Sequence, residues 1–278
     1  MNLLDALVLG IVEGLTEFLP VSSTGHLTIA EKLLGLQVDD PGVTAFTALI
    51  QMGAIAAVLL YFRRDIAGLA RAWFRGLASR EHRQTQDYRL AWCVIAGSIP
   101  IGVVGFSARS LISGPLRNLW VVAGALVVWS LFMYLAEWAA TQARGMQELR
   151  LKDAVVIGLV QCLALVPGVS RSGATISAGL FRGIDRVTAT RLSFFLSIPA
   201  LVAAGLYEGL TSVDEITASV GWSMTAVATV VSFLVAYASI AWLLRLVAQH
   251  PITVFIGYRL LLAAALVVAL ATGALAAT

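Results

Sequence analysis

Six apolar stretches, each close to the length that a helix needs to cross a membrane, dominate this sequence of 278 residues. A crossing takes about 20 mostly apolar residues. The stretches cover residues 46–62, 90–106, 119–137, 192–207, 219–244 and 252–276. Only 13% of the residues are charged, against about 25% in soluble domains. The sequence therefore predicts an all-α integral membrane protein in which residues 1–278 form a single membrane domain with six transmembrane helices.

Two further apolar regions are too short or too broken to cross. Residues 3–19 are followed by Pro20, and residues 153–166 are followed by Pro167 and Gly168. At membrane depth, an irregular backbone is tolerated only where it is packed in protein or lines a wet cavity. We expect both regions to form re-entrant helical hairpins, which enter the membrane and return on the same side.

Lysine and arginine are concentrated in alternate loops, which indicates the orientation of the chain. Basic residues are frequent in 63–89, 144–152 and 182–191, and rare in the loops that hold Asp39, Arg109 and Arg117. An excess of lysine and arginine marks cytoplasmic loops. Both termini are then expected outside, with the first hairpin entering from the outer face and the second from the cytoplasm.

The first hairpin recurs in the second half of the chain. An ungapped alignment pairs residues 3–25, LLDALVLGIVEGLTEFLPVSSTG, with residues 151–173, LKDAVVIGLVQCLALVPGVSRSG. Three predicted spans separate the copies, so the second copy should be upside down in the membrane. Inverted repeats with broken helices place their sites near the midplane, where the repeats meet. We predict two inverted repeats, approximately 1–140 and 150–278, whose hydroxyl-rich loops face each other across one cavity.

Two glutamates of the first hairpin, Glu13 and Glu17, are four residues apart and therefore share one helical face. Carboxylates within a membrane are rare, costly and usually functional. A pair on one face suits a hard divalent cation such as Mg²⁺, which binds one or two carboxylates together with substrate phosphate. Ca²⁺ is the alternative ion. A proton relay, and a structural pair that bridges a neighbouring helix, are the other interpretations.

The two hairpin loops carry hydroxyl groups and glycines that suit a phosphate. These residues are Ser22, Thr24 and Gly25 in the first loop, and Ser170, Ser172, Gly173 and Thr175 in the second. Each loop turns into a helix N-terminus, where free N–H groups and the helix dipole favour an anion. Any one of the serines is equally well explained as an ordinary N-cap. Arg171 is different, because a buried arginine needs an anionic partner, either Glu13, Glu17 or a substrate phosphate.

His26 is the histidine beside this cluster, close along the chain to Ser22 and Ser23. It is a candidate general acid or base, which makes Ser23 a candidate nucleophile. Direct attack by water, activated by a metal ion or a glutamate, is the competing chemistry. Arg259 lies inside the last apolar stretch and is interpreted as snorkelling or pairing helices. An anion site within lipid suggests an amphiphilic substrate, with a phosphate head on an apolar tail.

At these motifs the chain resembles the undecaprenyl-diphosphate phosphatase family of the bacitracin-resistance type. The family's paired glutamates followed by PVSSTGH are matched at Glu13, Glu17 and residues 20–26, and its PGxSRSxxT motif is matched at residues 167–175. The likeness extends over essentially the whole chain. One departure is Thr47, because many members have an acidic residue after the phenylalanine that Phe46 matches. No third carboxylate is therefore expected here.

The resemblance implies hydrolysis of undecaprenyl diphosphate to undecaprenyl phosphate and inorganic phosphate. It implies a multi-pass enzyme of the bacterial cytoplasmic (inner) membrane, with an active site open to the outer side, which recycles the carrier lipid of peptidoglycan synthesis and confers resistance to bacitracin. It also implies dependence on a divalent metal, metal or proton handling by Glu13 and Glu17, acid–base chemistry by His26, a nucleophilic role for Ser23 and charge stabilisation by Arg171. The expected partners are the polyprenyl diphosphate substrate and membrane lipid, with no nucleic acid, and a homodimer is compatible with the sequence.

Two other functions fit parts of the pattern. Type-2 phosphatidic acid phosphatases also use Ser-Gly-His and Ser-Arg elements, but they need a second histidine, and neither His82 nor His250 has suitable surroundings. A polyprenyl-phosphate flippase or transporter would use the same anion cavity and the same inverted hairpins. A carrier, however, has no obvious need for a glutamate pair, a histidine and a serine together, so the phosphatase is the expected function.

Overall fold

The computed structural model describes residues 1–38, 40–108, 111–112, 116 and 118–277, and it contains no strand within them. The helices are α1 (Leu3–Thr16), α2 (Ser23–Leu33), α3 (Pro41–Tyr61), α4 (Arg63–Ala78), α5 (Gln86–Ser107), α6 (Leu119–Ala139), α7 (Leu151–Gln161), α8 (Arg171–Phe181), α9 (Arg186–Thr211), α10 (Val213–Ser219), α11 (Trp222–Gln249) and α12 (Ile256–Ala271). Short 3-10 helices lie at Glu81–Gln84, Met146–Glu148, Cys162–Leu165 and Ile252–Phe255. The predicted all-α fold is confirmed. Asp39, Arg109 and Arg117, which entered the comparison of the loops, lie outside the described residues.

The six predicted crossings are confirmed as six helical segments that are long and apolar enough to span a membrane: α3, α5, α6, α9, α11 and the segment Ile252–Ala271. Three of these helices begin before the apolar stretch does, α3 at Pro41, α5 at Gln86 and α9 at Arg186. Polar caps set these starts. Asp40 accepts a hydrogen bond from the N–H of Val43 at 3.0 Å, and Asp185 accepts one from the N–H of Thr188 at 2.8 Å. Apolarity alone therefore located the helices but not their ends.

The two predicted hairpins appear as two pairs of short helices, α1 with α2 and α7 with α8. α1 has 14 residues and the other three have 11 each. At 1.5 Å per residue they are about 16–21 Å long, shorter than the hydrocarbon core of about 30 Å. These lengths agree with re-entrant hairpins. Their passage into and out of a bilayer, and the inverted orientation of the two copies, stay predictions.

Glycines allow the first helix of each hairpin to press against a long helix from the other half of the chain. α1 packs on α11, and α7 packs on α5. A Cβ atom on Gly10 would lie 2.6 Å from the carbonyl oxygen of Ala228, and one on Gly158 would collide with the backbone of Gly97. Gly10 and Gly158 are equivalent in the aligned copies, so one residue type serves the same close helix contact twice. Each hairpin is thereby packed against the other half of the chain.

A hydrophobic core lies under the turns of the two hairpins. It includes Phe18 and Val169, one from each turn, and Phe194 of α9. Phe18 and Phe194 are fully buried, and their rings meet edge to face with centroids 5.1 Å apart. Dense packing of this kind leaves side chains and backbone little room to move. The polar residues of both loops are therefore supported by a rigidly packed core.

Candidate active site

The turns of the two hairpins share an unusual backbone conformation. Ser22 has φ 78° and Ser170 has φ 75°, values that L-residues rarely adopt. Each serine is the N-cap of the helix that follows it, and each Oγ accepts a hydrogen bond from a glycine N–H, that of Gly25 at 3.4 Å and that of Gly173 at 3.2 Å. The N-cap interpretation of these two serines is therefore correct, whatever else they do.

The two loops, which the sequence predicted to face each other across a cavity, bond directly to each other. The N–H of Gly168 donates to Ser22 Oγ at 3.0 Å, and Ser170 Oγ donates to the carbonyl of Leu19 at 3.4 Å. Gly168 has φ +99°, and a Cβ atom there would lie 2.5 Å from the carbonyl oxygen of Val122. Only glycine fits this position. The residues of the two motifs consequently line one junction between the halves.

At this junction a single carboxylate connects the two motifs. Glu17 Oε2 accepts a hydrogen bond from Ser23 Oγ at 2.6 Å, and Glu17 Oε1 is 3.1 Å from Arg171 Nη2. The side chains of Glu17 and Arg171 are only 4% and 10% exposed. Of the partners considered for Arg171 from the sequence, the structure pairs it with Glu17. A hydroxyl, a carboxylate and a guanidinium therefore meet at one point.

Arg171 is oriented by three further contacts. Nη1 donates to the carbonyl of Ser193 at 3.1 Å, and the guanidinium carbon lies 5.9 Å from the centre of the Phe18 ring. Nη2 also reaches the carbonyl of Glu17 at 3.5 Å, while Nε is buried and has no hydrogen-bond partner among the described residues. The edge formed by Nε and Nη2 is the edge that a phosphate could grip with two oxygens. Displacing Glu17 would expose that edge completely.

Glu13 is the least satisfied polar group of the site. It is fully buried, and neither of its carboxylate oxygens has a hydrogen-bond partner in the described part of the chain. A buried carboxylate without a donor is costly unless a cation or a proton accompanies it. The described residues contain no group of three or more His, Cys, Asp or Glu side chains able to hold a metal. The residues present thus fit an ion that takes one or two protein carboxylates and completes its shell with phosphate and water.

The remaining hydroxyls of the second loop are already engaged within the protein. Ser172 Oγ lies 3.1 Å from Ser170 Oγ, and Thr175 Oγ1 donates to Ser193 Oγ at 2.7 Å. Both residues are almost completely buried. In the first loop Thr24 is half-buried at the start of α2. The predicted contact of these residues with phosphate stays a prediction, and for Ser172 and Thr175 it requires the exchange of an existing bond.

His26 lies in the first turn of α2 but does not bond to Ser23 in this structure. Its Nδ1 is 2.7 Å from the carbonyl oxygen of Ser22, and its Nε2 is 2.6 Å from the hydroxyl of Tyr258 on α12. The hydroxyl of Ser23 is directed to Glu17 instead. Tyr258 leaves no signal in the sequence, because its proximity to His26 arises only from the packing of the last helix.

Of the two interpretations of Arg259, snorkelling is wrong and helix pairing describes only part of its contacts. The side chain is fully buried, and its guanidinium donates to the carbonyls of Pro20 and Gly168, both at 2.9 Å. Further bonds reach Ser130 Oγ at 3.1 Å and the carbonyls of Leu126 and Val169 at 3.3 and 3.4 Å. Arg259 thus ties both hairpin turns to α6 and α12. The only sequence signal was a charge within an apolar span, which already indicates a functional or buried position.

Known proteins resemble this chain over its full length. The family model described as "Bacitracin resistance protein BacA" matches residues 6–265. The chain is 59% identical over 278 residues to undecaprenyl-diphosphatase 3 of Frankia casuarinae, covering all of both chains. It is 57% identical to undecaprenyl-diphosphatase of Acidothermus cellulolyticus, covering 98% of each chain, and 56% identical to that of Cutibacterium acnes, covering 93% of this chain and 94% of the relative. On these matches, with six spans and both motifs in one junction, the chain belongs to the bacitracin resistance protein BacA family.

Proposed function

We propose that this chain is an undecaprenyl-diphosphatase, which hydrolyses undecaprenyl diphosphate to undecaprenyl phosphate and inorganic phosphate. The observation that carries the proposal is the buried carboxylate of Glu17, which holds Ser23 and Arg171 together from two separate loops. A nucleophile, a base and a cation around one point are what phosphoryl transfer requires. The names of the relatives support the same reaction and supply the identity of the lipid.

Binding of the substrate would exchange the partner of Arg171. The terminal phosphate takes the place of Glu17 on the edge formed by Nε and Nη2, while Nη1 keeps its bond to the carbonyl of Ser193. The cation then neutralises a phosphate instead of a carboxylate, and the buried carboxylate of Glu17 is left without its cation. A carboxylate that has lost its cation accepts a proton more readily. Glu17 is thereby ready to act as a base when the substrate is in place.

The hydrogen bond between Ser23 and Glu17 favours attack by the serine. Ser23 Oγ forms a bond to the terminal phosphorus, the bridging P–O bond breaks, and undecaprenyl phosphate leaves as Glu17 accepts the hydroxyl proton. A water molecule then attacks the phosphoserine with His26 as its base, the bond between Ser23 Oγ and phosphorus breaks, and Glu17 returns its proton to Ser23 as inorganic phosphate leaves. Direct attack of water on the lipid is the rival route, in which Ser23 would only position the phosphate.

Glu13 and Glu17 are the residues that would hold a divalent cation, with Mg²⁺ as the expected ion and Ca²⁺ as the alternative. Such an ion, when bound, supplies positive charge to the phosphate oxygens. The two oxygens of Glu13 without a donor support this assignment. Glu17 already shares its oxygens between Ser23 and Arg171, so we expect Glu13 to contribute more to the affinity for the ion.

We place the reaction in the bacterial cytoplasmic membrane, with the site open to the outer side. The arginine-rich loops support this orientation. Hydrolysis there would recycle the carrier lipid of peptidoglycan synthesis and remove the diphosphate lipid that bacitracin binds. Both motifs lie in one chain, so catalysis needs no second copy. The homodimer stays a prediction, which light scattering of the purified protein tests.

The decisive experiment measures phosphate release from undecaprenyl diphosphate by the purified protein, with Mg²⁺ and with EDTA. Glu17→Ala is compared with Glu215→Ala, an exposed glutamate of α10 that is remote in sequence from both motifs. Metal-dependent release that is lost only in Glu17→Ala supports the phosphatase. If the folded protein binds the lipid but releases no phosphate, the flippase becomes the better explanation of the anion cavity.

A further inference from the structure

The environment of His26 defines which nitrogen atom carries its hydrogen. Nδ1 lies 2.7 Å from the carbonyl oxygen of Ser22, and a carbonyl oxygen can only accept. Nδ1 is therefore the N–H of the neutral ring, and Nε2 bears the lone pair. The hydroxyl of Tyr258, 2.6 Å away, must then donate to Nε2. Both neighbours favour the same tautomer.

Tyr258 is placed by the helix that holds the two hairpin turns. Its neighbour in the chain, Arg259, points into the protein and binds the carbonyls of Pro20 and Gly168. These bonds fix the height and rotation of α12 relative to the loops, and they bring Tyr258 beside His26. The two rings are nearly parallel, at 11° with centroids 5.6 Å apart, while 48% of Tyr258 is exposed. Among the described residues, His26 is the only hydrogen-bond partner found for this hydroxyl.

We propose that Tyr258 is the positioning residue of His26 during catalysis. The inference rests on the proposed function, in which His26 is the base for the water that attacks the phosphoserine. The lone pair of Nε2 faces the hydroxyl of Tyr258, so the proton reaches the ring through that hydroxyl: its hydrogen passes to Nε2 as its oxygen takes a proton from the water. The hydroxyl donates to Nε2 when the imidazole is neutral and accepts from Nε2–H when the imidazole is protonated, without moving a heavy atom. The imidazole thus keeps one orientation through the whole proton-transfer cycle.

Positioning by a hydroxyl differs from packing by a ring, and one substitution separates them. Tyr258→Phe keeps the ring and its nearly parallel placement against His26 but removes the donor and acceptor. Because a positioned acid or base contributes about 10²–10⁴-fold, the loss of its orientation alone should lower kcat about tenfold. The groups that bind the phosphate are unchanged, so KM should stay within about twofold of its original value.

The test compares Tyr258→Phe with Tyr134→Phe, a substitution of the same chemistry at an exposed tyrosine of α6. Steady-state phosphate release gives kcat and KM, and ¹⁵N spectra of histidine-labelled protein report Nε2 of His26 directly, since the chain has only 3 histidines. The expected result is a changed Nε2 signal and a reduced kcat in Tyr258→Phe alone. The inference is overturned if Tyr258→Phe matches Tyr134→Phe in kcat, or if its Nε2 signal equals that of the wild type.

These two readouts also separate this inference from the proposed function. An active wild type with an unaffected Tyr258→Phe variant removes Tyr258 from the mechanism and leaves the phosphatase intact. A wild type that releases no phosphate refutes the phosphatase, and the catalytic role of Tyr258 falls with it. A rise in KM together with the fall in kcat of Tyr258→Phe would point to a packing role and would likewise overturn the inference.

Discussion

Replacing Arg259 by methionine should loosen both hairpin turns at once, because this one side chain donates hydrogen bonds to a carbonyl in each turn. Methionine has a similar length and is apolar, so the substitution removes the donors without opening a large cavity. The carbonyls of Pro20 and Gly168 lose their bonds to the guanidinium, and no other hydrogen bond to them is found in the described part of the chain. A buried acceptor without a partner costs about 1–3 kcal/mol, so the two cost about 2–6 kcal/mol.

Part of this cost is returned, since an apolar side chain avoids the desolvation of a buried cation. We therefore expect a net loss of about 3 kcal/mol in the free energy of unfolding, which for a chain of this size lowers the melting temperature by about 6–12 °C. Thermal unfolding of the detergent-solubilised protein, followed by intrinsic fluorescence, measures this change. Phosphate release should fall as well, because the first loop carries Glu17 and the second carries Arg171.

A matched control removes a partner of Arg259 without leaving a turn carbonyl bare. Ser130→Ala deletes the hydroxyl that lies 3.1 Å from Nε of Arg259, and a single lost bond of this kind is worth about 1 kcal/mol. Arg259→Lys should be intermediate, because an ammonium is a point charge that cannot span carbonyls from two loops as the guanidinium fork does. The reasoning is refuted if Arg259→Met melts at the wild-type temperature and retains wild-type turnover.

Three further substitutions test other parts of the site. Arg171→Ala should lower turnover by about 10³-fold while the protein still folds and inserts, and near-normal turnover would remove Arg171 from the site. Ser23→Ala should leave less than about a tenth of the activity if the serine is the nucleophile, whereas higher residual activity would favour direct attack by water. In a background without Cys93 and Cys162, Thr211→Cys should react with an impermeant reagent applied from outside, and labelling only after permeabilisation would reverse the orientation.

The sequence predicted the spans and the pairing of the loops because both leave strong local signals. Apolar length located the six helices, and the aligned copies indicated which two loops should meet. The sequence could not decide which glutamate pairs with Arg171, because Glu13 and Glu17 share one helical face. The structure pairs Arg171 with Glu17 because the turn after α1 carries that carboxylate toward the second loop, while Glu13 stays one turn deeper and fully buried.

Contacts made by the last helix could not be predicted in the same way. The partners of Arg259 are mostly backbone carbonyls, and a carbonyl belongs to every residue, so no pattern of residue types points to it. The bond between His26 and Tyr258 joins residues 232 positions apart. Likewise, the sequence suggested His26 as the base for Ser23, whereas the backbone of the turn directs the hydroxyl of Ser23 to Glu17.

The two aligned loops are alike in backbone and opposite in charge, and the physical reason is their proximity. Ser22 and Ser170 share the same conformation and the same cap, because each loop must turn sharply into a helix. The alignment pairs Glu17 with Leu165 and Ser23 with Arg171. Two acidic loops facing each other would repel, and two basic loops would leave buried cations without partners. A junction of this kind is stable when empty if one copy supplies the carboxylate and the other the cation. A substrate phosphate can then separate this pair by replacing the carboxylate as the partner of the cation.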